Sequence, residues 1–161
     1  MKPSLVLKRL LKYNFSVMAQ QYFSDKDKTQ IVEAVKQAEL NTSGEIRVHI
    51  ELRCPEDVMD RAAYLFEKLG MHKTEKRNGV LFYLAIEDHV FSILGDAGIN
   101  AVVASDFWES AKQAMIEYFK QGDITGGIVK GISMAGEQLK AYFPYMSDDR
   151  NELSDEISFG K

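Results

Sequence analysis

The stretch from Asn78 to Gly98 constrains the fold more than any other part of this chain. Asn78-Gly79 is a turn signal, and Val80 to Ile86 then forms a nearly continuous apolar and aromatic run. That pattern predicts a strand buried on both faces, at the centre of a sheet. Glu87-Asp88-His89 is a polar tip, Val90 to Leu94 returns as a second strand of a β-hairpin, and Gly95-Asp96-Ala97-Gly98 ends it.

The flanking segments supply the rest of the sheet and its cover. Ser24 is a good N-cap with Asp27 three residues on, and Ile31, Val32, Val35 and Ala38 recur at helical spacing until Asn41. Ser43-Gly44 breaks this helix. Ile46, Val48, Ile50 and Leu52 then alternate with Arg47, His49, Glu51 and Arg53, which predicts a strand with one solvated face. Pro55 is expected to open a second helix, lined by Val58, Ala62, Leu65, Phe66 and Leu69 and ended by Gly70. After the hairpin, a third helix is predicted from Ser105 or Asp106 to Lys120, with Phe107, Trp108, Ala111, Met115, Tyr118 and Phe119 as its apolar stripe. A fourth runs from Ile124 to Tyr142 and carries Gly127, Gly131 and Ala135 at four-residue spacing. Glycine costs about 1 kcal/mol in a helix relative to alanine, so close packing is the expected compensation.

Composition bounds the rest. A chain of 161 residues, 45% hydrophobic, builds one core. Its net charge of −4 favours neither nucleic acid nor an anionic membrane as partner, and makes cations the more natural guests. The single cysteine, Cys54, excludes an internal disulfide, in keeping with a cytoplasmic location. Residues 1–17 mix Lys2, Lys8, Arg9 and Lys12 with Leu5, Val6, Leu7, Leu10 and Leu11, but the longest apolar run is three residues. A signal peptide needs roughly 7–15, and a transmembrane segment about 20. This leader is read either as a loose extension outside a domain of residues 18–144, or as a short basic amphipathic helix built on Leu7, Leu10, Leu11 and Phe15. Residues 145–161, with Asp148, Asp149, Glu152, Asp155 and Glu156, form an acidic tail whose composition predicts disorder. Leader and tail are the two places for a protein partner.

Strand direction locates the acidic groups. A strand, helix, strand unit makes the first two strands parallel through a right-handed crossover, and the hairpin makes the third antiparallel. The carboxyl ends of the first two strands then place Glu51, Glu87 and Asp88 at one edge. The third helix runs back and delivers Gly122-Asp123 to the same edge. Ligands of open α/β sheets sit at that edge, and hard cations such as calcium take oxygen ligands from separate segments. Glu51, Glu87, Asp88 and Asp123 are therefore the candidate ligands of a divalent metal. The opposing reading makes Glu87-Asp88 ordinary turn chemistry and Asp123 an N-cap. Asp96 is a secondary oxygen ligand or a polar turn residue leaving a strand, and not a catalytic group.

Other chemistry is excluded. Cys54 and Arg61 have six residues between them, one too many for a tyrosine-phosphatase loop, and Glu56, Asp57 and Asp60 would repel a thiolate and a phosphate. Asp25 and Asp27 start a helix instead of ending a strand, so they read as capping residues. His49, His72 and His89 lack zinc-site spacing, and no phosphate-binding glycine loop, dinucleotide fingerprint or nucleophile elbow is present.

Ser43-Gly44-Glu45-Ile46-Arg47-Val48, Asn78-Gly79-Val80-Leu81, Gly95 with Gly98, Phe119-Lys120-Gln121-Gly122-Asp123, Gly127-Ile128 and Gly131-Ile132 resemble, in this order and spacing, the landmarks of the TPM domain. Gly95-Asp96-x-Gly98-Ile99-Asn100 is most similar to small bacterial stand-alone members. The resemblance spans most of the chain, without the leader or the tail. It implies a Rossmann-like α/β/α sandwich, with a mixed central sheet and helices on both faces. Some members bind calcium, and a plant lumen member is associated with acid phosphatase activity. Asp88 and Asp123 fall at positions typically acidic in the family, whereas Glu51 and Glu87 rest on strand direction alone. Many members carry a signal peptide and a C-terminal membrane helix, and neither pattern is read here. The expectation is a small cytoplasmic module that binds calcium or another divalent cation at its acidic sheet edge. The alternative is a metal-assisted phosphatase acting on phosphomonoesters, although no nucleophile, positioned histidine or arginine clamp accompanies the carboxylates.

Overall fold

Ser24 closes a capping box: its Oγ accepts from the Asp27 amide (3.0 Å) and Asp27 Oδ2 accepts from the Ser24 amide (3.2 Å). The helix it starts is α2 (Asp25–Glu39), preceded by α1 (Leu5–Tyr22). The computed structural model describes residues 2–147 and 149–160, and only the backbone of 10–14. The side chains of Leu10, Leu11 and Lys12, and the whole of Asp148, on which the leader and tail readings partly rest, lie outside the described residues. The chain continues through β1 (Glu45–Glu51), α3 (Val58–Lys68), a 3₁₀ turn (Met71–Lys73), β2 (Gly79–Ala85) and β3 (Val90–Gly95). Then follow a short α4 (Ala97–Asn100), α5 (Glu109–Lys120), α6 (Ile124–Lys140) and β4 (Ser158–Phe159).

The sheet order is β3-β2-β1-β4. β1 and β2 are parallel, from Glu45 opposite Gly79 to Glu51 opposite Ala85, and β2 and β3 antiparallel, from Val80 opposite Gly95 to Ala85 opposite Val90. Alternation divides the core in two. Ile46, Val48, Ile50, Val80, Phe82 and Leu84 pack on one face against α2, α5 and α6, while Leu81, Tyr83 and Ala85 pack on the other against Ala62, Leu65 and Phe66 of α3. The result is the expected α/β/α sandwich with a mixed sheet. The small-residue face of α6 packs closely, as expected: a Cβ at Gly127 would lie 2.4 Å from Phe119 Cε1, and one at Gly131 2.4 Å from Met115 Sδ.

Four sequence expectations need correction. The polar side of β1 is not solvated: Glu45, His49 and Glu51 are all buried, because α3 and the tail cover that face. Pro55 does not open α3; Asp57 does, as an N-cap accepting from the Met59 (3.0 Å) and Asp60 (3.3 Å) amides. A carboxylate satisfies the orphan amides of a helix start, which proline cannot. The third predicted helix begins at Glu109, after a separate α4 capped by Asp96.

The acidic tail is the fourth. Instead of remaining disordered it adds β4 in parallel to β1, with Ser158 opposite His49 and Phe159 opposite Ile50, and Leu153 packs on the α3 side of the core. Low hydrophobicity prevents such a segment from building its own core. It does not prevent backbone pairing with a strand edge that already exists. At the other end, α1 runs across the position where the leader was divided from the domain; Leu5, Val6 and Leu7 are exposed, while Ala19 and the following Phe23 are buried. Among the described residues no helix is long and apolar enough to cross a membrane.

Candidate functional site

The carboxyl ends of β1 and β2 carry the residues the sequence offered for a metal, and each carboxylate there has its own local partner. Glu51 is 2% exposed. Arg61 of α3 pairs with both its oxygens, the Tyr83 hydroxyl donates to Oε2 at 2.6 Å, and His49 Nε2 lies 3.4 Å from Oε1. Burial works against the charge, but the hydrogen bonds from His49, Arg61 and Tyr83 outweigh it and hold the carboxyl at a pKa of about 2. The same burial, with Cys54 and Glu51 beside it, raises the Tyr83 phenol. Glu51 is therefore a structural anion, closed off from solvent.

The hairpin tip is open. Glu87 pairs with Arg53 (2.8 Å), both largely solvated, and Asp88 Oδ2 accepts from the Cys54 amide at 2.6 Å. The second bond ties the tip to the loop between β1 and α3. Asp123 is an N-cap, as the opposing reading had it: its Oδ1 accepts from the Gly126 amide at 2.9 Å, and it borders a groove shared with Asp27 of α2. Between the tip and the α5–α6 turn lies a cleft of about 450 Å³, lined mainly by apolar groups of Tyr22, Ile86, Phe91, Phe119 and Ile124 with His89 at the rim. The structure thus brings Glu87 and Asp88 together and leaves Glu51 and Asp123 in other company. Among the described residues, no three His, Cys, Asp or Glu side chains are grouped so as to hold a metal ion.

Asp96 sits at the opposite edge, 5% exposed. It accepts from the Ala97 amide (2.7 Å) and from Arg77 Nε and Nη2 (both 2.8 Å). A bidentate guanidinium and a helix cap occupy it fully, so it anchors α4 and the Arg77 turn, whose φ is +50°.

The sequence reading missed one group of acids. Glu45 served there only as a landmark beside Ser43-Gly44, Glu39 was not singled out, and Asp155 belonged to a tail expected to be disordered. These three meet at the start of β1. The available signal was the parity of Glu45 with Arg47, His49 and Glu51, which puts it on the face that α3 and the tail cover.

With the geometry established, the chain can be compared with known proteins. A family model described as the TPM domain matches residues 17–138. The solution structure of the BA42 protein from the psychrophilic bacterium Bizionia argentinensis is 47% identical, with a TM-score of 0.82 over 86% of this chain and 96% of that one. The N-terminal domain of cg2496 from Corynebacterium glutamicum (16% identity, TM-score 0.59, 82% and 81% covered) shares the fold alone. So does an N-terminal domain from P. gingivalis (15%, 0.63, 75% and 78%). No relative is found among curated proteins.

Proposed function

The chain belongs to the TPM-domain family, and on that premise we propose that it is a small binding module which takes a divalent cation, calcium first among them, at the tip of the β2–β3 hairpin. The observation that supports this reading is the Asp88 clasp on the Cys54 amide, which steadies two adjacent, solvent-facing carboxylates, Glu87 and Asp88, at the carboxyl ends of the parallel strands. The residues fit such an ion in part. Calcium takes about six to eight oxygens; Glu51 and Asp123 are engaged elsewhere and Glu87 would exchange its Arg53 partner for the ion, so water would complete the shell and the site would be weak and exchangeable.

Titration with calcium, followed by amide shifts, tests the proposal. Saturable shifts at residues 52–54 and 86–89 that vanish in Glu87→Gln/Asp88→Asn are expected. No response at millimolar calcium, or one unchanged in the double variant, would overturn it. Hydrolysis of phosphomonoesters rests on the family alone, since Arg53 and Arg61, the arginines nearest this edge, are already paired with Glu87 and Glu51. Turnover of a generic phosphomonoester that is lost in Asp88→Asn and Asp123→Asn would favour the enzyme over the binding module.

A further inference from the structure

Phe91 of β3 and Phe119 of α5 meet edge to face, with ring centroids 5.2 Å apart, beside the cleft of about 450 Å³ that separates the hairpin tip from the α5–α6 turn. The buried Leu84 and Ala85, at the carboxyl end of β2, border its inner side, and the half-exposed Tyr22 at the end of α1 borders its mouth. Gly122 keeps the space open. With φ +81° and no atom within 4 Å of the place a Cβ would take, it turns α5 into α6 without putting a side chain into the cleft. Sites for small organic molecules run from about 300 to 1,000 Å³ and combine apolar walls with a few polar groups that fix orientation.

Among the described residues, the polar side chains that border this cleft are Tyr22, His89 and Lys120, and none of them is acidic. The acids nearby are bound to other groups. Glu87 borders an adjoining hollow and pairs with Arg53, Asp88 accepts from the Cys54 amide, and Asp123 caps α6. Lys120 meets Glu117 at 3.6 Å, but their side chains are 68% and 67% exposed, and an ion pair so solvated holds its lysine weakly. The His89 ring has no hydrogen-bond partner among the described residues. The mouth of an apolar cleft thus carries an exchangeable cation and an unengaged N–H donor.

We propose that this cleft is a binding site for a small amphiphilic anion, a monocarboxylate on an aliphatic chain, with the chain beside Phe91, Ile116 and Phe119 and the head between Lys120 and His89. The walls reward apolar area removed from water, so they select for chain length, and the mouth selects for the sign of the charge. A chain with a cationic head would face Lys120 instead of pairing with it. An anion without a chain would meet only an exposed lysine, which is too little to hold it. This goes beyond the cation site proposed at the hairpin tip and does not depend on it: Glu87 and Asp88 do not border the cleft, and the carboxylate head needs no metal.

The test uses the full chain with octanoate as probe, in the presence of a chelator, and with butanoate, octylammonium and phosphatidylglycerol vesicles as controls. Amide shifts at residues 90–91, 116 and 119–122 should saturate with octanoate. Affinity should rise by up to about fourfold for each methylene from butanoate to octanoate. Lys120→Gln should weaken binding about twofold to fivefold. His89→Asn, which keeps a residue type that accepts the local φ of +53°, should weaken it further. Ile116→Trp fills the cleft from a position outside both core clusters, so it should abolish binding while the chain still melts cooperatively. The proposal is overturned by a flat titration at tens of millimolar, by an equal response to octylammonium, by an affinity indifferent to chain length, or by a response that appears only when calcium replaces the chelator. It is overturned equally by sedimentation with the vesicles in place of a response to octanoate, by binding that survives Ile116→Trp, or by binding that neither Lys120→Gln nor His89→Asn alters.

Discussion

Arg61 Nε on α3 lies 3.1 Å from each carboxylate oxygen of Glu51 at the end of β1, and a second guanidinium nitrogen completes the pair. Tyr83 donates to the same carboxylate, and Gly160 of the tail packs so closely that a Cβ there would fall 2.0 Å from Glu51 Cγ. A residue that the sequence offers to a metal ion is thus the point where α3 and the tail are both fastened to the sheet.

Removing one partner of this pair leaves a buried charge uncompensated. Arg61→Met is expected to cost about 3–5 kcal/mol in urea unfolding. Adding Glu51→Gln should restore part of that loss, because no charge is then stranded. A double variant as unstable as the sum of its parts would show that Arg61 acts by packing alone.

Two carboxyls set opposite pH dependences. Glu51 is held at about 2, below its ordinary 4.5, so its contribution is present above pH 4.5 and is lost as pH falls toward 2. Glu39 is raised to about 11, so the folded state keeps a proton the unfolded chain releases, and stability from this group declines as pH rises from 4.5 toward 11. Melting temperature against pH should show both slopes. Glu39→Gln should flatten only the alkaline one.

Two glycines are expected to differ in kind. A Cβ at Gly98 would sit 2.2 Å from the Lys76 carbonyl oxygen and 2.6 Å from that of Arg77, both main-chain atoms, so Gly98→Ala should cost about 1–3 kcal/mol or more. Gly122 has φ +81° with open space around it, so Gly122→Ala should cost only about 1–2 kcal/mol, from backbone strain alone. Chemical denaturation of the two variants distinguishes the cases, and the reverse order would mean that the Lys76–Arg77 turn yields readily.

Shortening the two ends should have unequal effects. Residues 2–9 are exposed throughout, and their deletion is expected to leave the melting temperature nearly unchanged. Deleting residues 149–160 removes β4, Leu153 and the Glu152 bond to Glu45. It should lower the melting temperature and accelerate hydrogen exchange in β1. Equal melting temperatures for the two truncations would show the tail to be a passive attachment.

The hairpin from Val80 to Leu94, the capped helix after Ser24 and the tight face of α6 at Gly127 and Gly131 were all legible in the sequence. Each rests on a local pattern, a side-chain period or a cap, that a few neighbouring residues encode completely. The company of each carboxylate was not. Glu51 with Arg61, Asp96 with Arg77, and Glu45 with Glu39 and a tail more than a hundred residues away are pairings no local period relates. Charge energies depend on separation and burial, which exist only once distant segments cross. Composition reads the tail as disordered, because it weighs only what the segment can bury by itself; the folded sheet offers it an edge, and pairing along that edge is what brings the Glu152 amide to Glu45.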